Sequence, residues 1–281
     1  MLCSSVNHLG NTVLIPMIKF FENIGRFVNS WIYIVVDFIR LVFETFYWIF
    51  WGAFVKRTIR LQAVFAQMVF MGVNSIVIVF FVVFFTGVVL AMQSAHQLSQ
   101  MGAVIYVASL VTISICRELG PVLTALVIAG RIGASITAEI GSMKVNEQIE
   151  ALDTMAIHPV RYLVVPKFIA LFVMLPCLTV IGDLSGILGG YLIGVFNLKI
   201  NSGLYIQTAL KFLTLKDIYT GLSKSFVFAV IIVMVGTYQG LKTEGGAVGV
   251  GKATTISVVV SFILIIIADC ILTGIYYFAR F

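Results

Sequence analysis

Long apolar runs, interrupted by short polar or charged segments, set the pattern of this chain. A helix that crosses roughly 30 Å of hydrocarbon uses about 20 apolar residues. Five runs read as such crossings: 64–92, 103–139, 168–195, 225–240 and 255–277. The second, about 37 residues at 1.5 Å each, would reach roughly 55 Å and is too long for one straight crossing. Pro121 has no N–H for the carbonyl of Arg117, so a bend is expected near Gly120. Counting back from an inner end between Arg131 and Glu139 puts Arg117 and Glu118 about 21 to 33 Å away, in the outer leaflet or just beyond it.

The segments between the runs give the topology. From Lys19 to Glu44, polar residues at Lys19, Glu22, Arg26, Ser30, Tyr33, Asp37, Arg40 and Glu44 trace one helical stripe, with Trp31, Trp48 and Trp51 among the apolar positions. Such a helix suits the membrane surface, although a spanning helix whose stripe faces protein fits the same pattern. The chain is therefore divided into an amino-terminal amphipathic segment, 1–62, and a transmembrane domain, 63–281. The basic cluster Lys56, Arg57 and Arg60 favours the cytoplasmic side, and the loop 93–102, without Lys or Arg, the outer side. Segment 141–155 carries Lys144, Glu147, Gln148, Glu150 and Asp153, too many polar groups for lipid. Glu139, Met143 and Glu147 recur every four residues and are expected to share a face of a short cytoplasmic helix. It would suit the groove of a partner, or serve as a solvated connection. Segment 197–224, with Lys199, Lys211, Lys216 and Lys224, reads as an outer loop with a short helix. The amino terminus is then cytoplasmic and the carboxyl terminus outside.

Composition agrees with this pattern. The chain is 60% hydrophobic and 11% charged, against roughly 25% charged in soluble domains, and its mean hydropathy is +1.10. The fold class is all-α and polytopic: about five transmembrane helices, an interfacial amino-terminal helix and a cytoplasmic helix between spans. The net charge of +6 comes from Lys and Arg flanking apolar runs and does not indicate nucleic acid. The first 13 residues lack the features of a signal peptide, so the first membrane segments are expected to act as the targeting signal. Cys3, Cys116, Cys177 and Cys270 have no metal or redox spacing, and His96 has no partner for a metal site. Gly246–Ala253, GAVGVGKA, nearly matches a phosphate loop, but Ala253 stands where a magnesium-binding hydroxyl belongs and no strand precedes it. No protease or lipase motif is present. Neither cofactor, metal nor catalytic residue is assigned.

Candidate binding chemistry lies in RELGP. Two adjacent charges near a kink at membrane depth imply a wet or polar-ligand-filled cavity, or a charge pair anchoring helices. Neighbours in sequence lie about 100° apart on a helix, so Arg117 and Glu118 face different surroundings. Leu90, Leu98 and Leu119 would add an apolar wall, the combination an amphiphile needs. Asp183 and Asp269 are further acids within spans, each a functional candidate or a hydrogen-bonded packing group. Gly182, Gly186, Gly190 and Gly194, at four-residue spacing, form a ridge for close helix contact, with this chain or a second copy.

RELGP, AGRIGASITAEIGSM, NEQIEALDTMAI and GVGKATT together resemble the MlaE/YrbE permeases of lipid-transporting ABC systems, over about residues 71–277. That resemblance implies an inner-membrane, multi-pass permease that works as two copies with two cytoplasmic ATPase subunits and hands lipid to or from a periplasmic MCE-domain carrier. With lipid as the substrate, the polar and apolar cavity residues read above, Leu90, Leu98, Arg117, Glu118 and Leu119, become the expected lipid contacts. ATPase coupling falls to Glu139, Met143, Lys144, Glu147, Gln148 and Glu150, and GVGKATT is implied to be a structural turn. A proton-coupled secondary transporter using Glu118 or Asp269 is the alternative, and a membrane scaffold without transport a third reading.

Overall fold

The computed structural model describes residues 29, 32, 33, 35–49 and 61–278. Most of the expected amino-terminal helix, and the cluster Lys56 to Arg60, lie outside the described residues. The chain divides into two compact units, Met1–Phe46 and Tyr47–Phe281. Described residues of the first are helical and leave Ile32, Val35, Val36, Ile39 and Phe43 exposed.

The second unit is a helical bundle, with no strand among the described residues. Its helices are α1 (Leu61–Gln100), α2 (Val104–Val145), α3 (Gln148–Thr154), α4 (Val160–Asn197), α5 (Ser202–Phe212), α6 (Leu215–Leu241) and α7 (Gly246–Phe278). Five of them, α1, α2, α4, α6 and α7, are long and apolar enough to cross a membrane. The protein is thus a multi-pass helical membrane protein, as the pattern of runs predicts.

The helices run past the apolar stretches at several ends. α1 continues to Gln100, so most of the expected loop 93–102 is helical and the connection shrinks to a turn closed by Gly102 at φ +65°. α6 begins at Leu215, ten residues before the expected span, because Asp217 caps its first turn: the Thr214 N–H and hydroxyl both donate to Asp217 Oδ2, at 2.9 and 2.7 Å. α7 begins at Gly246, which makes GAVGVGKATT its first helical turns rather than a turn between helices. The reversal is made upstream, where Gly245 and Gly246 take φ +85° and +68°.

In α2 the missing N–H of Pro121 is absorbed by a wide π-turn, Ile115–Leu119, immediately before it, and a second π-turn follows at Ala129–Gly133. α1 is broken by a 3-10 turn, Val73–Ser75. Arg131 of α2 fills that break, donating from Nη1 to the Asn74 carbonyl and, at 2.7 Å, to Ser75 Oγ.

Small residues bring the helices together. The Gly186 backbone lies so close to Gly87 of α1 that a Cβ on Gly87 would overlap it. A Cβ on Gly186 would stand 2.9 Å from Ile115 of α2 and 3.0 Å from Val83 of α1. Gly182 faces Thr124 and Val79, Gly190 faces Val111 and the Tyr205 hydroxyl, and Gly194 lies on the Tyr205 ring. The glycine row of α4 therefore meets α1, α2 and α5 of its own chain. A hydroxyl joins the other side of the bundle: Thr137 Oγ1 of α2 is 2.9 Å from Gly133 O, 3.0 Å from Gly236 O of α6 and 2.8 Å from Ser257 Oγ of α7.

Candidate functional site

Glu118 lies about 21 Å from the start of α2, while Lys224 and Asp269 lie about 14 Å from the start of α6 and the end of α7, at the same end of the bundle. These three side chains meet. The Lys224 ammonium donates to Glu118 Oε2 and, at 2.7 Å, to Thr273 Oγ1, and its Nζ stands 2.9 Å from Asp269 Oδ1. Thr273 Oγ1 lies 3.2 Å from both Glu118 oxygens. Lys224 has 1% of its side chain exposed, against 39% for Glu118 and 23% for Asp269. The cation is therefore enclosed while its carboxylates reach the surface. Beside this cluster, Ser223, next to Lys224, and Tyr276, about one turn beyond Thr273, join α6 to α7 through a 2.6 Å hydroxyl pair.

Arg117 turns to a different partner, as the 100° step demands. Its Nε is 3.4 Å from Oδ1 of Asp217, the capping residue of α6, and its side chain is 39% exposed. The adjacent charges of RELGP are thus both held by α6, two turns apart at Asp217 and Lys224. The motif's glycine has a steric role. Asp183 of α4 lies where a Cβ on Gly120 would be, and its buried Oδ1 finds no hydrogen-bond partner among the described residues.

Lys224 was expected in an outer loop, yet it is a buried residue of α6, because three oxygens from α2 and α7 replace its water. Of the two roles the sequence allows Asp269, functional acid or packing group, the structure shows it paired to a neighbouring helix through Lys224. Neither Asp217 nor Thr273 was singled out, although the T-x-x-D cap at Thr214 marks where α6 starts and places Asp217 and Lys224 on one face. Leu90, Leu98 and Leu119 are half-buried. α1, which carries Leu90 and Leu98, packs on α2 and α4, whereas Glu118 is held by α6 and α7.

At the other end, α2 stops at Val145 and the chain reverses through Asn146 and Glu147, the latter left-handed at φ +57°. Glu139, Met143 and Glu147 therefore do not share one helix face, since the backbone turns between Met143 and Glu147. α3 buries Ile149 and Leu152 and exposes Gln148, Glu150 and Asp153. Three contacts fasten this segment to the bundle. Lys144 pairs with Glu150, holding that carboxyl below its ordinary range through a hydrogen bond. Gly141 lies against buried Thr243 in the α6–α7 turn. Glu139 Oε2 accepts from Lys167 Nζ of α4 at 2.6 Å. Nearby, the Trp48 ring lies 5.1 Å from that of His158 and 5.6 Å from the Arg161 guanidinium. Among the described residues no cluster of His, Cys, Asp and Glu is arranged to hold a metal.

Residues 64–275 match the family described as Permease MlaE. A probable ABC transporter permease protein of Rickettsia typhi is 43% identical, over 83% of this chain and 90% of its own. One from Synechocystis is 41% identical, over 74% and 79%. The intermembrane phospholipid transport system permease protein MlaE of Haemophilus influenzae is 34% identical, over 86% of this chain and 94% of its own.

Proposed function

The chain belongs to the MlaE permease family, and from that premise we propose that it moves phospholipid between the inner membrane and a periplasmic MCE-domain carrier. Two copies work with cytoplasmic ABC ATPase subunits, which supply the hydrolysis this permease does not perform. Such transport would contribute to the lipid asymmetry of an outer membrane. The observation that carries the reading is the enclosed Lys224 with partly exposed Glu118, Asp269 and Arg117 at membrane depth. A charge at a helix centre costs about 2.5 to 3.5 kcal/mol on insertion scales, so exposed charged edges there favour a polar headgroup or water as neighbour. Leu90, Leu98 and Leu119 would line the path of the acyl chains, where each buried CH₂ contributes about 0.8 kcal/mol. The turn at Glu147 with the exposed residues of α3, Gln148 and Glu150, would dock the ATPase, with Glu139, Met143 and Lys144 behind it.

Photo-crosslinking in the assembled transporter tests this. Probes at Leu90, Leu98 and Leu119 should capture phospholipid, identified by mass spectrometry, and a probe at Glu150 should capture the ATPase. Ile149 is unsuited to the second purpose because its side chain is buried. Lipid adducts elsewhere in the chain with none at the three leucines would refute the lipid path.

A further inference from the structure

Lys167 stands apart from the other cations at the docking end. Its side chain is 3% exposed, while its partner Glu139 is 46% exposed and sits on the last turns of α2, just before the docking segment. Around it the base of α4 is closed by Val164, Val165 and Phe168. A buried ammonium in such surroundings is held by its carboxylate, so the two move together. The other fastenings end locally: Lys144–Glu150 ties α2 to α3 at the surface, and Gly141 rests on the α6–α7 turn. Lys167 instead sits near the base of α4, which runs the length of the bundle. About 24 Å along α4 lies Asp183 against Gly120 of RELGP, and beyond it come the glycines that seat α4 on α1 and α2. Interiors packed this closely shift as bodies rather than deform.

We propose that Lys167 is a positioning residue for the transport step, passing displacement of the docking segment through Glu139 into α4. It contacts neither lipid nor ATPase. This rests on the reading that an ATPase docks at residues 141–155. In a cycle driven from that segment, α4 moves with it and shifts its contact with α2 beside Glu118.

The test uses the permease copurified with its ATPase, reconstituted in phosphatidylethanolamine–phosphatidylglycerol vesicles with a fluorescent phospholipid as probe. The quantity read is lipid moved per ATP hydrolysed. Lys167→Met should retain the ATPase and its hydrolysis but lower that ratio on the order of tenfold, within the range found for residues that couple distant sites. Lys167→Arg should restore it to within about twofold of wild type, because an Arg retains the charge and the pair. If Lys167→Met does not assemble, Glu139→Gln decides, since it keeps the shape and removes the counter-charge; its ratio should also fall. A ratio within about twofold of wild type for Lys167→Met, or for Glu139→Gln where Lys167→Met does not assemble, overturns the inference. A wild-type complex that hydrolyses ATP and moves no lipid refutes the transporter reading itself, and this inference with it.

Discussion

Replacing Lys224 by Met should be the most damaging single change in the transmembrane charge network. The substitution keeps the length of the side chain and removes the enclosed cation, leaving Glu118 and Asp269 facing each other with only Thr273 between them. Removing one partner of a buried ion pair costs about 3 to 5 kcal/mol, mostly because the remaining charge is left uncompensated. Glu118→Gln should cost less, since Lys224 keeps Asp269 at 2.9 Å and Thr273 at 2.7 Å. Removing all three charges together, with Lys224→Met, Glu118→Gln and Asp269→Asn, should recover most of the loss, because apolar or neutral replacement of a whole buried pair is often close to neutral. The assay is equilibrium unfolding of the purified permease in mixed micelles of mild detergent and sodium dodecyl sulfate. The order wild type, triple variant, Glu118→Gln, then Lys224→Met supports the geometry. A Lys224→Met protein within about 1 kcal/mol of wild type, or a triple variant no more stable than the single one, would refute the claim that this lysine is held by two carboxylates. The triple variant serves a second purpose. If it folds yet retains no phospholipid on purification, the charges serve binding as well as stability.

Gly186→Leu should destabilise the bundle by about 1 to 3 kcal/mol through overpacking, because its side chain would enter the space of Ile115 and Val83; unchanged unfolding in detergent would place this face elsewhere. Glu147→Lys should abolish copurification of the ATPase. Glu147→Gly, which tolerates the left-handed φ of +57°, should preserve the fold of the turn, and wild-type copurification of the Lys variant would remove Glu147 from the contact. The Lys144–Glu150 tie should respond to acid. Glu150 is held below its ordinary carboxyl range, so its contribution is present above the free-carboxylate range near pH 4.3 and is lost as pH falls through the lowered value. Amide exchange in α3, corrected for intrinsic rates, should quicken on acidification in wild type and be indifferent to pH in Glu150→Gln; identical profiles would show that the pair does not hold α3.

The five spans were legible because hydropathy at membrane length is a strong signal, and Pro121 marked where α2 departs from regular geometry. The start of the fourth span was not legible, because lysines beside an apolar run ordinarily mark water. Lys224 and Lys216 moved the expected start of the fourth span ten residues downstream, whereas the helix begins at the Thr214–Asp217 cap and carries its lysine inside. The partners of that lysine, Asp269 and Thr273, lie 45 and 49 residues further on, and no periodicity within one helix reveals such a pairing. Glu147 was misplaced for a different reason. Four-residue spacing continues past Met143 in the sequence, but the helix ends at Val145 and Glu147 itself takes the left-handed conformation that reverses the chain. The glycine row on α4 was legible as a contact surface, and its neighbours were not, since spacing carries no information about which helix arrives.

The contact between Arg131 and the break in α1 bears on how the protein is made. The Asn74 carbonyl and the Ser75 hydroxyl lie about 20 Å from the start of α1, at a depth where lipid offers no donor. Arg131 lies at a similar distance from the end of α2, a charge that hydrocarbon alone would resist. Synthesis delivers α1 first, so its irregular turn is complete only after a further 56 residues have been added. Each helix carries the group that makes the other tolerable in the bilayer, and the two are therefore expected to leave the translocation machinery as a pair rather than one after the other.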